Sequence, residues 1–159
     1  MTQLNSGDKA PDFDSITDGG GTAKLSDYKG KKLILYFYPK DNTPGCTTES
    51  CDFRDNLTAL QSLGAQIIGI SKDSVKKHDN FKAKHNLNFP LISDENGTMC
   101  EDYDVWKEKS MYGKTYMGIE RTTFLIDETG KIAHIWRKVK VKDHVDDVKN
   151  ILSKQEKAA

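Results

Sequence analysis

The sequence predicts a single α/β domain, a mixed central sheet with helices on both faces. Three observations predict it. Two short and almost wholly apolar runs, Leu33-Ile34-Leu35-Tyr36-Phe37-Tyr38 and Gln66-Ile67-Ile68-Gly69-Ile70, have the length of strands covered on both sides. Stretches of helical period alternate with them, and a turn-linked pair of strands precedes a closing helix. No repeat, low-complexity tract or Pro/Gly-rich linker divides the 159 residues. Residues 1–159 therefore read as one domain, long enough to bury a full core without disulfides or a structural metal.

The elements follow in order. Gly19-Gly20-Gly21 reads as a turn in an N-terminal loop. The run 33–38, between Lys31-Lys32 and Pro39, is the first clear strand. Turn formers occupy 39–45, and a helix then runs to Gly64, with Phe53, Leu57 and Leu60 spaced four and three apart. Gly64 suits the position just past a helix end. Residues 66–70 form the second buried strand, and 74–85 a helix with Val75, His78 and Phe81 inward. Residues 89–92 read as a short extended piece and 98–105 as a short helix. Residues 122–126 and 131–136 flank Asp127-Glu128-Thr129-Gly130, turn chemistry for a hairpin. Asp143 is expected to cap a last helix that carries Val145, Val148, Ile151 and Leu152 on one side. Strand, helix, strand, helix, hairpin, helix is the order of the thioredoxin fold.

Composition narrows the function. Lysine and arginine balance aspartate and glutamate at 24 each, so no global field recruits nucleic acid or an anionic membrane. No apolar run approaches the roughly 18–20 residues of a membrane span. Residues 1–6 have neither a basic start nor an apolar stretch, so no secretory signal is expected. The initial methionine argues against a removed transit peptide, and the expected location is cytoplasmic. The three cysteines, Cys46, Cys51 and Cys100, do not fit a secreted disulfide framework. In a reducing compartment a sparse thiol is either inert core or chemistry.

Cys46 is placed for chemistry. With Thr43 at the N-cap, Pro44 becomes the first helical residue, where its missing N–H costs nothing. Gly45 and Cys46 then occupy the first turn, where backbone N–H groups lack helical partners and the dipole is positive. A thiolate is stabilised there. The Thr43 side chain is expected to reach toward the second or third helical residue and lie beside the sulfur. Gly45 lets a small reactant approach the backbone. A plain buried thiol remains the competing reading, since free cysteine is among the most buried residue types.

Cys51 lies five residues on, about 7.5 Å along an intact helix and about 140° around it. Bridged cysteines need converging side chains with Cα atoms within about 7 Å. A static disulfide between the two does not fit a folded helix, and a transient one requires the first turns to unwind. Gly45, Thr47, Thr48 and Asp52 make a poor helix interior that could open cheaply. A cluster or tetrahedral metal site would need further ligands at spacings this chain does not offer, so neither a metal nor another cofactor is expected.

The segment Tyr36-Phe37-Tyr38-Pro39-Lys40-Asp41-Asn42-Thr43-Pro44-Gly45-Cys46-Thr47-Thr48-Glu49 resembles the active-site segment of peroxiredoxins, and more narrowly of the Q-type (bacterioferritin comigratory protein) subfamily. The likeness extends through residues 7–13, Met111-Tyr112-Gly113-Lys114 and residues 118–127, and covers nearly the whole chain. It implies a thioredoxin-like fold with an N-terminal extension. It also implies reduction of hydrogen peroxide and organic hydroperoxides without a cofactor. By this resemblance Cys46 is the peroxidatic cysteine and Cys51 the resolving cysteine. Their intramolecular disulfide would be reduced by thioredoxin or a similar dithiol. Thr43 and Arg121 match the peroxide-activating pair, and Pro39 the proline that shields the sulfur. Arg121 without the resemblance would read as a solvated charge at a strand end. Glu49, three residues after Cys46, either orients Arg121 or is a first-turn acid favoured by the dipole.

Cys100, between Met99 and Glu101, reads as a packed thiol rather than a resolver. His78, His85, His134 and His144 show no pairing to a nucleophile and read as ordinary, and Tyr116 and Trp136 as core or rim residues. A dithiol reductase on the same fold would show Cys-x-x-Cys, not five-residue spacing. A binding module that keeps the fold without the chemistry is the other alternative. A resolver on the same chain removes one chemical need for a dimer, so a monomer is expected.

Overall fold

The computed structural model describes residues 4–158. The leader reading rests partly on residues 1–3, which lie outside them. The chain opens with a small antiparallel hairpin of β1 (Asp14–Ile16) and β2 (Thr22–Lys24). Between them Gly19 and Gly20 take φ of 71° and 80°, the left-handed region that favours glycine. The sequence reading placed the turn here but not the strands, which are three residues each.

The central sheet contains β3 (Lys32–Phe37), β4 (Ala65–Ser71), β5 (Leu91–Ser93), β8 (Thr122–Ile126) and β9 (Ile132–Trp136) in the order β5-β4-β3-β8-β9. The first three are mutually parallel, β8 pairs antiparallel with β3 and β9 antiparallel with β8, so the sheet is mixed. The run expected at 33–38 is the middle strand, buried along its whole length. Its side chains alternate between two cores, as the pleat requires. Leu33, Leu35 and Phe37 join Ile68, Ile70, Phe124 and Ile126 on one face. Ile34, Tyr36 and Tyr38 join Phe53, Leu57, Leu60, Val148 and Leu152 on the other.

That second face is covered by α1 (Pro44–Ser62) and α4 (His144–Ala158), with Phe81 of α2 (Val75–His85) joining them. The opposite face carries α3 (Met99–Asp102) together with Ala10, Phe13 and Ala23 of the N-terminal segment. The thioredoxin-like arrangement with an N-terminal extension is thus the observed one. Tyr36 is its keystone against α1. Its ring stacks on Phe53 at 4.7 Å, and its hydroxyl lies 2.9 Å from Ser50 Oγ. A Cβ at Gly69 would fall 2.8 Å from that ring, so a glycine in the neighbouring strand makes room for it.

Two expectations are corrected. The helix expected over 98–105 is a single turn, because Asp104 takes φ of 59°. The Val105 N–H then returns to the Cys100 carbonyl and the Asp104 N–H to that of Glu101, a Schellman stop without its usual glycine. Asp143 precedes α4 with φ of 62°, not the extended backbone of a capping residue, and contributes its carbonyl to the Asp147 N–H. A second hairpin, β6 (Trp106–Met111) and β7 (Lys114–Ile119), was not foreseen. Its turn places Tyr112 and Gly113 at φ of 52° and 78°, both left-handed as a two-residue hairpin turn demands. Tyr116 is exposed on β7, whereas Trp136 is partly buried against the core. Among the described residues no helix is long and apolar enough to cross a membrane.

Candidate active site

The site forms where β3 ends and α1 begins. Pro39 is half-buried at the start of the intervening loop. Thr43 is the N-cap of α1, extended at φ −87° and ψ 151°, with Pro44 in the first turn. Its hydroxyl does not cap the helix. It donates to the Lys40 carbonyl at 2.8 Å, which corrects the expected reach of this side chain toward the second or third helical residue. Among the described residues no side chain caps the first-turn N–H groups of Gly45 and Cys46.

Cys46 is the third helical residue and is 1% exposed. Arg121, between β7 and β8, reaches it across the sheet end: Nη2 donates to Cys46 Sγ at 3.3 Å and Nη1 to Glu49 Oε1 at 2.7 Å. The Arg121 carbonyl is tied down by the Val139 N–H at 2.9 Å. Gly45 makes the approach possible, since a Cβ there would stand 3.3 Å from Arg121 Nη2. Glu49 is fully buried, and among the described residues its Oε2 has no hydrogen-bond partner. Burial pushes its carboxyl up to about 7, against the pull of Arg121. Glu49 thus meets Arg121 as a buried ion pair.

Lys109 of β6 completes the electrostatics, and sequence did not single it out. Burial and then the Arg121 charge lower its pKa, while Cys46 acts in the opposite direction. The hairpin that carries it was itself missed, so no sequence signal placed a second cation here.

The remaining cysteines divide. Cys51 is a half-buried free thiol on the intact helix, not brought to Cys46. Cys100 is wholly buried. Burial, followed by the charge of Asp94, pushes its thiol far above the ordinary range, so it is inert. The segment between Cys46 and Cys51 is held more firmly than its composition suggested. The buried Glu49–Arg121 pair and the Tyr36–Ser50 contact both anchor it.

Of the histidines, His144 is buried with Nε2 2.8 Å from Thr123 Oγ1, and His78 is buried against Asp41.

Comparison with known proteins gives the family. The AhpC/TSA family model matches residues 6–135. The chain is 60% identical over 139 residues to peroxiredoxin Bcp of Bacillus subtilis (strain 168), covering 87% of this chain and 88% of that protein. It is 45% identical over 152 residues to peroxiredoxin Bcp of Escherichia coli (strain K12), covering 96% and 97%. Among solved structures, a cysteine-to-serine mutant of Xylella fastidiosa PrxQ superposes with a TM-score of 0.92 at 43% identity, covering 98% of this chain and 99% of that one. The Xanthomonas campestris bacterioferritin comigratory protein, studied for its alkyl peroxide reduction activity, superposes with a TM-score of 0.89 at 45% identity, covering 96% and 99%.

Proposed function

The chain belongs to the AhpC/TSA family as a peroxiredoxin, a thiol-dependent peroxidase, and on that premise we propose that Cys46 is its peroxidatic residue and Cys51 its resolving one. The observation that carries the assignment is the Arg121 fork, which holds Cys46 Sγ and the buried Glu49 at once. A fixed guanidinium stabilises the thiolate and the negative charge that grows on the departing oxygen.

The thiolate sulfur of Cys46 bonds to one peroxide oxygen. The O–O bond breaks, and the other oxygen leaves with its electron pair as hydroxide or alkoxide and takes a proton. Cys46 is left as a sulfenic acid. Thr43 helps to hold the peroxide. Its own proton is committed to the Lys40 carbonyl, so its oxygen is free to accept the peroxide O–H. The first-turn N–H groups, unpartnered within the helix, offer donors to the same peroxide. Pro39, at the start of the loop, limits access of water to the sulfur.

In the second step the Cys51 thiol attacks the sulfenic sulfur, an S–S bond forms and water leaves. The first turns of α1 must open for this, with loss of the Glu49–Arg121 pair. Oxidation prepares the opening, because a neutral sulfenic acid attracts Arg121 less than a thiolate does. Thioredoxin or a similar dithiol then returns two electrons and two protons. The enzyme acts as a cytoplasmic monomer.

The reading is tested by peroxide consumption by the purified protein with a thioredoxin system. Cys46→Ser abolishes consumption on this account. Undiminished activity in that variant would contradict it.

A further inference from the structure

A set of buried side chains that the peroxide chemistry leaves unused meets beneath the loop entering α1. His78 is fully buried, and Asp41 and Asp73 nearly so. His78 Nδ1 lies 2.7 Å from Asp41 Oδ2, and its Nε2 lies 2.8 Å from the Ile92 carbonyl oxygen of β5. The Tyr38 hydroxyl donates to Asp41 Oδ1 at 2.6 Å. The Asp41 N–H donates to Asp73 Oδ2 at 2.8 Å, and the Ser71 hydroxyl to the same oxygen at 2.7 Å. One loop residue is thereby held from the residue that follows β3, from α2 and from the turn after β4.

Counting protons shows what kind of cluster this is. A carbonyl can only accept, so His78 Nε2 carries a hydrogen. The Nδ1–Oδ2 contact then needs one more proton between its atoms. Burial pushes His78 toward its neutral form, but the hydrogen bond and charge of Asp41 outweigh it, and its pKa is raised. Ligand-type atoms of Asp41, Asp73 and His78 lie within 4.8 Å of one another, a spacing that a cation could use. Here the Nδ1 lone pair is taken by the proton, and Asp73 Oδ2 already receives two donors. The cluster is a proton-bridged tie.

We propose that Asp41 and His78 are positioning residues for the peroxidase reaction: their buried pair fixes the loop that carries Thr43 and so sets the first turn of α1 beneath Cys46. This rests on the reading of Cys46 and Thr43 given above. The mechanical path is short. Thr43 Oγ1 is bonded to the carbonyl of Lys40, which adjoins Asp41. Asn42 stands between them at φ of 62°, a left-handed turn that asparagine tolerates. Neither Asp41 nor His78 touches the sulfur, so each acts through the loop.

The test compares wild type, Asp41→Ala, Asp41→Asn and Tyr38→Phe in single-turnover oxidation of Cys46 by hydrogen peroxide, with thermal midpoints measured in parallel. In Asp41→Asn the amide oxygen accepts from Tyr38 and the amide nitrogen donates to Nδ1 of a neutral His78, so the tie survives without its charge. Asp41→Ala is expected to slow oxidation about tenfold or more, Asp41→Asn to regain most of that loss, and Tyr38→Phe to fall between. A lower midpoint with an unchanged rate in folded Asp41→Ala would overturn the proposal. So would an Asp41→Asn protein as slow as Asp41→Ala. If Asp41→Ala does not fold, a Tyr38→Phe rate equal to that of wild type overturns it. A wild type that peroxide does not oxidise at Cys46 would overturn the site reading and this proposal together; a reactive wild type with an equally reactive Asp41→Ala would overturn this proposal alone.

Discussion

Arg121 joins Glu49 to Cys46 through the two arms of one guanidinium, at 2.7 Å to the carboxylate and 3.3 Å to the sulfur. The two acceptors are three residues apart on α1, so one helical face offers both to a planar fork. A point charge on a flexible stem cannot reproduce that. Arg121→Lys is therefore expected to lower the rate of Cys46 oxidation by about 10²–10³, the cost of losing one aimed donor at a developing anion. Stopped-flow oxidation of the reduced protein measures it.

Gly45 shows the same fork from the other side. A Cβ at this position stands 3.3 Å from Arg121 Nη2, so Gly45→Ala must move either the guanidinium or the helix start. Alanine is the better helix former by up to about 1 kcal/mol. The variant is expected to keep or raise its thermal midpoint while losing about tenfold in peroxide reactivity.

Glu49 sets a pH dependence. Burial raises its carboxyl to about 7, so the fork is fully charged only above that pH. The oxidation rate is expected to rise with pH through an inflection near 7, and Glu49→Gln to lose this inflection. Stability runs the opposite way. A folded pKa above the ordinary one gives a contribution that is complete below about 4.5 and lost as pH rises through about 7. Denaturant unfolding across that window should show wild type losing ground to Glu49→Gln.

His144 acts on the acid side. Burial lowers its pKa to about 4, so the folded protein keeps it neutral where the unfolded chain would take up a proton. Its contribution is complete above the ordinary value of about 6.5 and is lost as pH falls toward 4. His144→Gln, which can still reach Thr123, should flatten the fall in unfolding free energy over that range.

The legible parts of this protein were those governed by short-range rules. The middle strand showed in six consecutive apolar and aromatic residues, and the α1 start in Thr43-Pro44-Gly45-Cys46. The β6–β7 hairpin did not show, because Lys107-Glu108-Lys109-Ser110 is polar without alternation and its turn uses Tyr112 where asparagine or aspartate is the usual signal. The expected cap by the Thr43 side chain is not made, because its hydroxyl turns to a local carbonyl, that of Lys40. Arg121 reached the site only through the family resemblance, since 75 positions separate it from Cys46. The Asp41–His78 tie spans 37 positions, and nothing in the residues around His78 distinguishes it from an ordinary core histidine. Helix composition also gave no sign of the contacts that Glu49 and Ser50 make from α1 to Arg121 and Tyr36.

The central claim is that Cys51 resolves Cys46 after the first turns of α1 open. The most direct test is peptide mass spectrometry of the reduced protein after one equivalent of hydrogen peroxide. The account predicts an intramolecular Cys46–Cys51 disulfide as the main product, with Cys100 still reduced. A dominant Cys46–Cys100 link, or a disulfide between two chains, would contradict it.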